Sequence, residues 1–516
     1  MRSRGPRFFT PAAALAVGST LWLVGCTLGP DPTRPPSIVQ PGDAFHNADP
    51  DARNGTPDEP PAEVGPWWRR FDDALTNRLV DQALANNTDL RSAAAAVLEA
   101  EAMLGVAVGQ QLPAFDASLS RDRRQSTFQL QADRFTSRAT TYTAQASVSW
   151  QVDLFGKLRR GTQRAELDLL AGVADREALM HTIVAEVVRT RARLATLQRQ
   201  LAIARQNTAS FAETVEVIRR RYERGVTSAL DLRLAEENLA ASRAREPEIQ
   251  STLRTTQHAL DVLVGRRPGS TNPLPDTLSD LPDLAPPPTG LPIHLVDRRP
   301  DLRGAEFRAM SEQAGIGVAV ADMFPDISVT ASGGYEGSEF ADLFDGPESL
   351  IWNLTTAAAV KLWRGGALRA QAHAARARAD RLAADYAGDV LNALREVEDA
   401  LVRERFARTQ YDRLEKRLAE ARAAEDLARR RYDQGVETIL TVLESERRRR
   451  NAEDALIATQ QSVWNARIDL FLALGGDWGV AMPPAKEAAA PPEPVAWRKG
   501  GQPSKTERQR SDRVER

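Results

Sequence analysis

The sequence predicts a mainly α-helical fold with a smaller β portion, built as two copies of one unit. Short phrases recur in the same order at a nearly constant offset. Long stretches keep apolar residues three and four positions apart, the period of a helix that packs along a neighbouring helix. Shorter stretches alternate apolar and polar residues, as β-strands do. Together these patterns predict long antiparallel helical hairpins plus four β-strands per chain.

The repeat is clearest at one phrase. RRRYERGVTSALDL at 219–232 returns as RRRYDQGVETILTV at 429–442, an offset of 210 (429 − 219). GVAV at 105–108 returns at 317–320, 212 residues later (317 − 105). Matches in one order at one offset indicate an internal two-fold repeat. We therefore divide the chain into repeat 1 at 67–265, a Pro-rich linker at 266–297 and repeat 2 at 298–476.

Composition excludes several classes of function. The chain has 516 residues and a formal net charge of −2, which gives no strong field to attract nucleic acid. Mean hydropathy is −0.40, and the body of the chain shows no 18-residue apolar run that predicts a membrane-spanning helix. The histidines are scattered without metal-ligand or catalytic-triad spacing, and no phosphate-binding glycine loop is present. We expect no enzyme activity, no catalytic residues, no cofactor and no metal.

Residues 1–25 have the pattern of a secretory signal peptide. Three arginines, Arg2, Arg4 and Arg7, precede an apolar stretch that ends in LVGC. Cys26 is the only cysteine, so it forms no disulfide within the chain. It is either a chance cysteine or, because LVGC resembles a bacterial lipoprotein lipobox, the lipidated first residue of the mature chain. Thr27 then implies sorting to the outer membrane.

Both ends of the chain are expected to lie outside the folded units. Residues 26–66 are rich in Pro, Gly and Asp, and we expect a lipidated tether with little capacity to bury a core. Residues 477–516 end in a Lys- and Arg-rich stretch, and we expect a disordered tail.

Each unit has the same internal order of helix, two strands, long helix, glycine and return helix. In repeat 1 the pattern predicts these elements at 86–110, within 114–154 around a polar connection at 123–141, at about 160–221, and at about 230–264 with a tip near 225. Repeat 2 has strands within 325–362, a connection at 334–349 and a tip near 435. At 1.5 Å per residue the long helix spans roughly 90 Å, so each tip lies far from the strands.

The strands fit either a half-buried sheet of a soluble protein or the wall of a transmembrane β-barrel. Three observations favour the barrel: the predicted outer-membrane anchor, a polar face of small uncharged Thr, Gln and Ser, and the aromatic residues Tyr142 and Trp150 on the apolar face. Four strands cannot close a barrel, and open edges in lipid are not tolerated. Two copies would give a plugged barrel of eight strands, whereas three would give twelve strands around a lumen, which conduction requires.

The sequence resembles the TolC-like outer membrane factors, and within them the NodT-type lipoprotein efflux channels, over about 66–476. The motifs are WWRRFDDALTNRLVDQALANNTDLRSAAAAV (67–97), SVSWQVDLFGKLRR (147–160), YERGVTSALDLRLAEE (222–237) and LPIHLVDRRPDLRGAE (291–306). One departure is Arg364, where the family usually has an acidic residue.

The resemblance implies a homotrimer with a twelve-stranded barrel in the outer membrane and a long helical barrel in the periplasm, with the Pro-rich linker in an equatorial belt. It implies the outer-membrane channel of a tripartite efflux system for small toxic compounds or drugs. The partners would be a periplasmic adaptor protein, an inner-membrane pump of the resistance-nodulation-division (RND) type and outer-membrane lipid. The closest alternative is the channel of a type I protein-secretion system; an enzyme and a soluble periplasmic adaptor fit less well.

The resemblance also assigns roles near the tips. The expected adaptor-docking residues flank the two turns: Tyr222, Gly225, Val226, Tyr432, Gly435 and Val436. Asp231 and Tyr432 would form a hydrogen-bonded latch across hairpins, and Glu444 would ring the entrance unless it is only a solvated helix charge. A second acidic gate position of the family is Thr441 here. The following run, 446–450, is expected to be solvated helix surface.

Overall fold

The computed structural model describes residues 26–36, 38–39, 45–48, 66–130, 133–270, 274–279, 281–282, 292–344 and 346–476. The predicted signal peptide and the predicted C-terminal tail lie outside the described residues. The main elements follow the order α1 (Ala74–Asn86), α2 (Thr88–Gly109), β1 (Ala114–Leu130), β2 (Asp133–Val152), α3 (Lys157–Glu223), α4 (Ala229–Leu263), α5 (Pro292–Arg298), α6 (Pro300–Ala321), β3 (Asp326–Gly337), β4 (Leu350–Ala359), α7 (Ala367–Asp433) and α8 (Ile439–Ala473).

Two long helical hairpins dominate the chain. Helices α3 and α7 have 67 residues each, roughly 100 Å, and the return helices α4 and α8 have 35 residues each. Each long helix packs against its own return helix, and α3 also contacts α8. The predicted bounds of the first hairpin, 160–221 and 230–264, differ from the observed ones by at most three residues.

The helix predicted at 86–110 corresponds to α2, Thr88–Gly109, and a separate helix, α1, precedes it and ends at Asn86. The Asn87 side chain accepts hydrogen bonds from the backbone N–H groups of Asp89 and Leu90, which begins α2. Its Nδ2 also donates to the carbonyl oxygen of Leu263 at the end of α4, over 2.9 Å. Helix α2 therefore starts where α4 ends, and the two form a second column beside α3.

The four strands form one antiparallel sheet in the order β1-β2-β3-β4. Its register places the apolar residues of all four strands on one face: Phe115 opposite Val148, Val148 opposite Ala331, and Ala331 opposite Leu354. The other face carries small polar side chains, such as Ser147, Ser332 and Asn353 in one row. The sheet is thus two-faced, and strands β1 and β4 are its open edges.

The predicted connection at 123–141 is wrong, because both strands run through it. Strands β1 and β2 pair without a break until Leu130 lies opposite Asp133. Backbone hydrogen bonds of a hairpin do not need apolar side chains, so the pairing outlasts the apolar stretch that marked the strands. In repeat 2 the connection is real but shorter, since β3 continues to Gly337 and two short 3-10 turns, Ala341–Phe344 and Pro347–Ser349, precede β4.

An aromatic core lies where the repeats meet, midway along the helices. Trp67 stacks on Phe471 with ring centroids 5.3 Å apart, and Phe71 meets the edge of Trp464 at 4.8 Å. Trp67, Trp68 and Trp464 are almost completely buried. Full burial of large aromatic side chains stabilises by about 1.5–3 kcal/mol each, so this core fixes the opening segment of repeat 1 against α8.

The N-terminal segment packs on the fold more closely than the predicted tether. Val39, Phe45 and Ala48 are buried in a core with α7 and α8. Nearer Cys26, the buried guanidinium of Arg160 binds the Asp31 carboxylate at 2.8 Å. We call the described residues between 26 and 48 the strap. Its apolar residues gave no periodic signal, because an irregular segment has no helical or strand period to detect.

By length and composition alone, α2 is the one described helix that could cross a membrane. The sequence did not predict this, because Glu99 and Glu101 interrupt its apolar residues. None of its most apolar 18 residues is buried within the described chain. One side of α2 lies along α3, where the Thr162 hydroxyl donates to the Ala107 carbonyl oxygen at 3.2 Å.

Candidate functional site at the hairpin tips

Both hairpins reverse direction through a glycine. Gly225 and Gly435 have φ angles of 72° and 73°, in the left-handed region that favours glycine. The N–H of Val226 donates to the Arg221 carbonyl oxygen and that of Val436 to the Arg431 carbonyl oxygen, each over 2.9 Å. This pattern satisfies the last carbonyl groups of a helix. No atom lies within 4 Å of a Cβ built on either glycine, so only the backbone angle requires glycine there.

The return helix of repeat 1 begins with a reciprocal cap. The Ser228 hydroxyl accepts from the Asp231 N–H, and one Asp231 carboxylate oxygen accepts from the Ser228 N–H and hydroxyl and from the Thr227 hydroxyl. Hydrogen bonds from Thr227 and then Ser228 lower the pKa of Asp231. Repeat 2 has no such cap: Thr441 takes the place of the acid, and its hydroxyl donates to Glu437.

Tyr432 lies between the two hairpins, under an arginine of the other one. The Arg221 guanidinium carbon is 4.5 Å from the centroid of the Tyr432 ring, a cation–π distance. Within the described residues of one chain, Tyr432 and Asp231 share no hydrogen bond. The structure therefore does not bring the two expected latch residues together inside a single chain.

One apolar core behind the tips joins the two hairpins. It contains Phe211, Val215, Ile218, Ala235, Leu239, Ala428, Ile439, Val442 and Leu443, drawn from all four helices of the hairpins. At the turns themselves, Tyr222, Val226 and Val436 are exposed. The tips thus have a shared interior and apolar side chains in solvent.

Glu444 is half-exposed, and its carboxylate is not free. Its carboxylate accepts hydrogen bonds from Arg447 at 2.6 Å and Arg448 at 2.8 Å, both on the same helix. Bonds from Arg448 and then Arg447 lower the pKa of Glu444. The group that was expected to act as an isolated acid is therefore one carboxylate between two cations.

The prediction that 446–450 is solvated surface is wrong for Glu446, which is buried, and for Arg449 and Arg450, which are half-buried. Glu446 is buried and accepts from Arg429 at 2.8 Å. Arg449 donates to Glu425, to Glu453 at 2.7 Å and to Asn207 at 2.7 Å. Burial raises the pKa of Glu446. This group, which we call the ion cluster, joins α3, α7 and α8 just behind the tip core.

A further cation belongs to the same region. The Arg450 guanidinium carbon lies 4.5 Å from the centroid of the Phe211 ring, and burial lowers the pKa of this guanidinium.

The sequence contains a pattern that could have predicted the ion cluster. Ile439, Val442, Glu446, Arg449 and Glu453 follow one another at spacings of three and four, so the charged residues continue the apolar seam of α8.

At the opposite end of the helices, charged groups secure the junction with the sheet. Asp322 accepts from Lys157 at 2.6 Å and from Lys361 at 2.8 Å, and these bonds oppose the burial effect and lower the pKa of Asp322. Gly156 and Gly366, with φ of 77° and 82°, begin the two long helices. Arg364, the departure noted above, is exposed beside this junction.

The expected lipid-bearing residue lies at the same end. Cys26 is exposed and unpaired by any disulfide, and the N–H of Leu28 donates to the Phe155 carbonyl oxygen at 3.2 Å. Gly29, with φ of 86°, packs so closely on Gly317 that a side chain on Gly29 would collide with the Gly317 backbone, and one on Gly317 would collide with the Leu28 carbonyl oxygen and the Arg160 side chain. The strap therefore starts at the base of the sheet.

Comparison with known proteins decides the family. A sequence profile described as "Outer membrane efflux protein" matches residues 79–266 and 291–476. The chain belongs to the outer membrane efflux protein family. The second match begins 212 residues after the first (291 − 79), the offset at which GVAV recurs.

Individual relatives of this efflux family cover almost the whole chain. Outer membrane protein OprJ of Pseudomonas aeruginosa is 31% identical over 490 residues, 92% of this chain and 97% of its own. The toluene efflux pump outer membrane protein TtgF of Pseudomonas putida is 29% identical over 466 residues, 90% of this chain and 96% of its own. The solved outer-membrane channel OprN is 29% identical with a TM-score of 0.76, covering 87% of this chain and 99% of its own.

Family membership gives the two-faced sheet its orientation. In an outer-membrane channel the apolar face of the strands contacts lipid and the polar face contacts the lumen. The paired ends of β1 and β2, Leu130 and Asp133, lie at the far end of the sheet from α3. The helical hairpins extend from the opposite end of the sheet.

Proposed function

We propose that three copies of this chain form the outer-membrane channel of a tripartite efflux system that expels small toxic compounds or drugs. The single observation that carries the proposal is the sheet: four strands with a lipid-type face, a lumen-type face and two open edges, joined to helices long enough to cross the periplasm. Relatives are named for toluene, solvents, antibiotics and pyoverdine, which supports small organic molecules as the cargo.

Three copies follow from the requirement for closure. The edge strands expose Phe115 on β1 and Trp352 and Leu354 on β4, and unpaired edges are not stable in lipid. Eight strands leave only enough interior for side chains, whereas larger barrels enclose channels. Twelve strands from three copies therefore close the edges and leave a path. The exposed Ala- and Val-rich side of α2 would then face the neighbouring copy.

The same arrangement supports the proposed partners, with the β1–β2 hairpin directed out of the cell and the helical hairpins in the periplasm. In a trimer, six tips would surround the periplasmic entrance and present Tyr222, Val226 and Val436 to a periplasmic adaptor, with an RND-type pump in the inner membrane. Asp231 and Tyr432 would meet across neighbouring hairpins of different copies and hold the entrance closed. Glu444 would contribute to the charge of the ring, reduced by its two arginines.

Lipidation of Cys26 would anchor the chain beside its own barrel. Residues 26–31 lie at the base of the sheet, where acyl chains on Cys26 would reach the inner leaflet of the outer membrane. Each buried methylene contributes about 0.8 kcal/mol, so several acyl chains give a stable anchor.

The test is complementation of a strain that lacks its own efflux outer-membrane channels, supplied with a matching adaptor and RND pump. We expect the full chain to restore resistance to solvents and hydrophobic antibiotics. As a control, Gly225→Pro should abolish resistance while the protein still reaches the outer membrane, because proline cannot adopt the positive φ of the turn. Failure of the full chain to restore resistance, together with secretion of a protein substrate when it is paired with an ABC exporter, would favour the type I secretion channel instead.

A further inference from the structure

The β1–β2 hairpin continues past the apolar band of the sheet as a basic surface. On the lipid-type face, apolar residues extend from Val152 at the periplasmic end to Tyr142, about 33 Å along the strand and about 25 Å along the membrane normal for a tilted strand. This height matches the apolar band of an outer-membrane barrel. Tyr142 therefore marks the outer boundary of the hydrocarbon.

Three arginines follow this boundary on the same face. The register pairs Arg121 with Tyr142, Arg123 with Thr140, and Gln125 with Arg138. Arg123 and Arg138 thus lie about 7 Å and about 13 Å farther along the hairpin than Arg121. We call Arg121, Arg123 and Arg138 the outward arginines; all three are exposed.

These arginines have no acidic partner in the described chain. Arg121 lies over the Tyr142 ring with its guanidinium carbon 5.5 Å from the centroid, and Nε of Arg138 donates to Gln125 at 2.9 Å. The nearest acid in sequence, Asp122, points to the opposite face because adjacent strand residues alternate. The described outward side chains of the hairpin beyond Leu119 are otherwise Gln, Thr and Tyr.

At this height in the membrane, a cationic patch without acidic partners lies next to the phosphate groups of the outer leaflet. The outer leaflet of a Gram-negative outer membrane is a glycolipid with phosphate groups on its sugars, at the boundary between hydrocarbon and water. Arginine binds phosphate oxygens with two parallel hydrogen bonds, and its planar head stacks on aromatic rings as Arg121 does on Tyr142. An aromatic girdle explains Tyr142, but it does not explain three arginines without acidic partners at the level of Tyr142 and beyond it.

We propose that the outward arginines bind the phosphate groups of this outer-leaflet glycolipid. The patch would fix the vertical position of the barrel and surround it with ordered lipid. The inference uses the orientation of the sheet but not the conduction of any compound. If the outward arginines did not bind the glycolipid, the proposed efflux function would still stand. If the chain did not support efflux, the lipid proposal would not be contradicted by that result alone.

The test uses the purified full-length protein and native mass spectrometry with bis-phosphorylated lipid A as the probe. The triple variant R121Q/R123Q/R138Q removes the patch and keeps polar side chains. The matched pair is R123Q and R124Q, because Arg124 is the next residue, is also exposed and faces the lumen side. Correct folding is checked by heat-modifiable migration, and R123Q remains informative if the triple variant folds poorly.

We expect wild type and R124Q to retain lipid A equally. A cation at an anionic lipid surface contributes roughly fivefold in affinity, so R123Q should lose about that factor and the triple variant at least about tenfold. Lipid A stripped of phosphates and inorganic phosphate alone should not compete. Equal loss in R124Q, equal binding of dephosphorylated lipid, equal preference for phosphatidylglycerol, or full competition by free phosphate would each overturn the proposal.

Discussion

Asp231 and Thr441 occupy equivalent positions in the two repeats, 210 residues apart (441 − 231), yet only one of them caps its helix. The Asp231 carboxylate accepts three hydrogen bonds from Thr227 and Ser228, whereas Thr441 leaves the first turn of α8 without a side-chain cap. The first tip is therefore fixed more firmly than the second. A gate in which one hairpin moves against the other needs such a difference.

Replacing Asp231 with alanine should loosen the first tip. Loss of a capping residue costs about 1 kcal/mol of local stability, so amide hydrogen exchange at 228–234 should become about fivefold faster. Thr441→Ala is the matched control and should change exchange at 438–444 little, because its hydroxyl caps nothing. Equal acceleration in both variants would show that the two tips do not differ in this way.

His181 links stability to pH. Burial lowers the pKa of His181 to about 3, and Arg299 adds to the effect while Asp301 opposes it. Because the folded imidazole stays neutral where an unfolded one gains a proton, its contribution to stability is complete above about pH 6.5 and is lost as the pH falls from about 6.5 towards 3.

We therefore expect acid to destabilise the wild type more than His181→Gln. Between pH 7 and pH 5 the difference should reach about 2 kcal/mol, since each pH unit below the unfolded pKa contributes up to about 1.4 kcal/mol. Urea unfolding at the two pH values measures it. If wild type and variant lost the same stability, the buried neutral histidine would not be the cause.

At the scale of elements, the ion cluster connects the two hairpins behind the tips. Arg449 of α8 contacts Glu425 of α7 and Asn207 of α3, so one side chain bonds three helices. Its neighbour Arg448 is exposed and, among the described residues, bonds only Glu444 of its own helix. Two consecutive arginines thus differ: Arg449 links helices, whereas Arg448 bonds within its own helix.

Arg449→Ala should destabilise the protein far more than Arg448→Ala. Removing one partner of a buried ion pair costs about 3–5 kcal/mol. Because Glu453 keeps Arg422 at 2.9 Å and Glu425 keeps Arg429 at 3.9 Å, we expect about 2–3 kcal/mol here, whereas an exposed helix pair contributes about 0.5 kcal/mol or less. Urea midpoints of the two variants give the comparison. Similar midpoints would mean that water, rather than Arg449, satisfies the acids.

Periodic elements were predictable and irregular ones were not. The first long helix was placed within three residues because its seam repeats at three and four over many turns. The hairpin beyond Arg121 was missed because its pairing rests on backbone hydrogen bonds between polar residues. The buried strap residues Val39 and Phe45 were missed because they pack only after α7 and α8 have formed their groove.

The tip residues were placed correctly by sequence, but their contacts were not. The repeat located Gly225 and Gly435 at the turns, since a left-handed residue between two helices is most often glycine. It could not reveal that Tyr432 packs under Arg221, because cation–π contacts between hairpins depend on their three-dimensional packing. The latch between Asp231 and Tyr432 stays a prediction about neighbouring copies.

At the scale of the whole molecule, a single chain leaves both its sheet and its helical part incomplete. The sheet has open edges that lipid does not tolerate, and apolar side chains are exposed along α2 and at the tips of the helical hairpins. In the proposed trimer, neighbouring copies related by rotation about one axis would cover both. Because each copy supplies four strands, the number of copies sets the width of the channel.

The most direct test of this account is the number of chains in the complex purified from the outer membrane, measured by native mass spectrometry. The account predicts three copies, hence twelve strands and an open lumen. A single chain or a pair as the stable species in the membrane would contradict it, because four strands cannot close and eight leave no path for a solute.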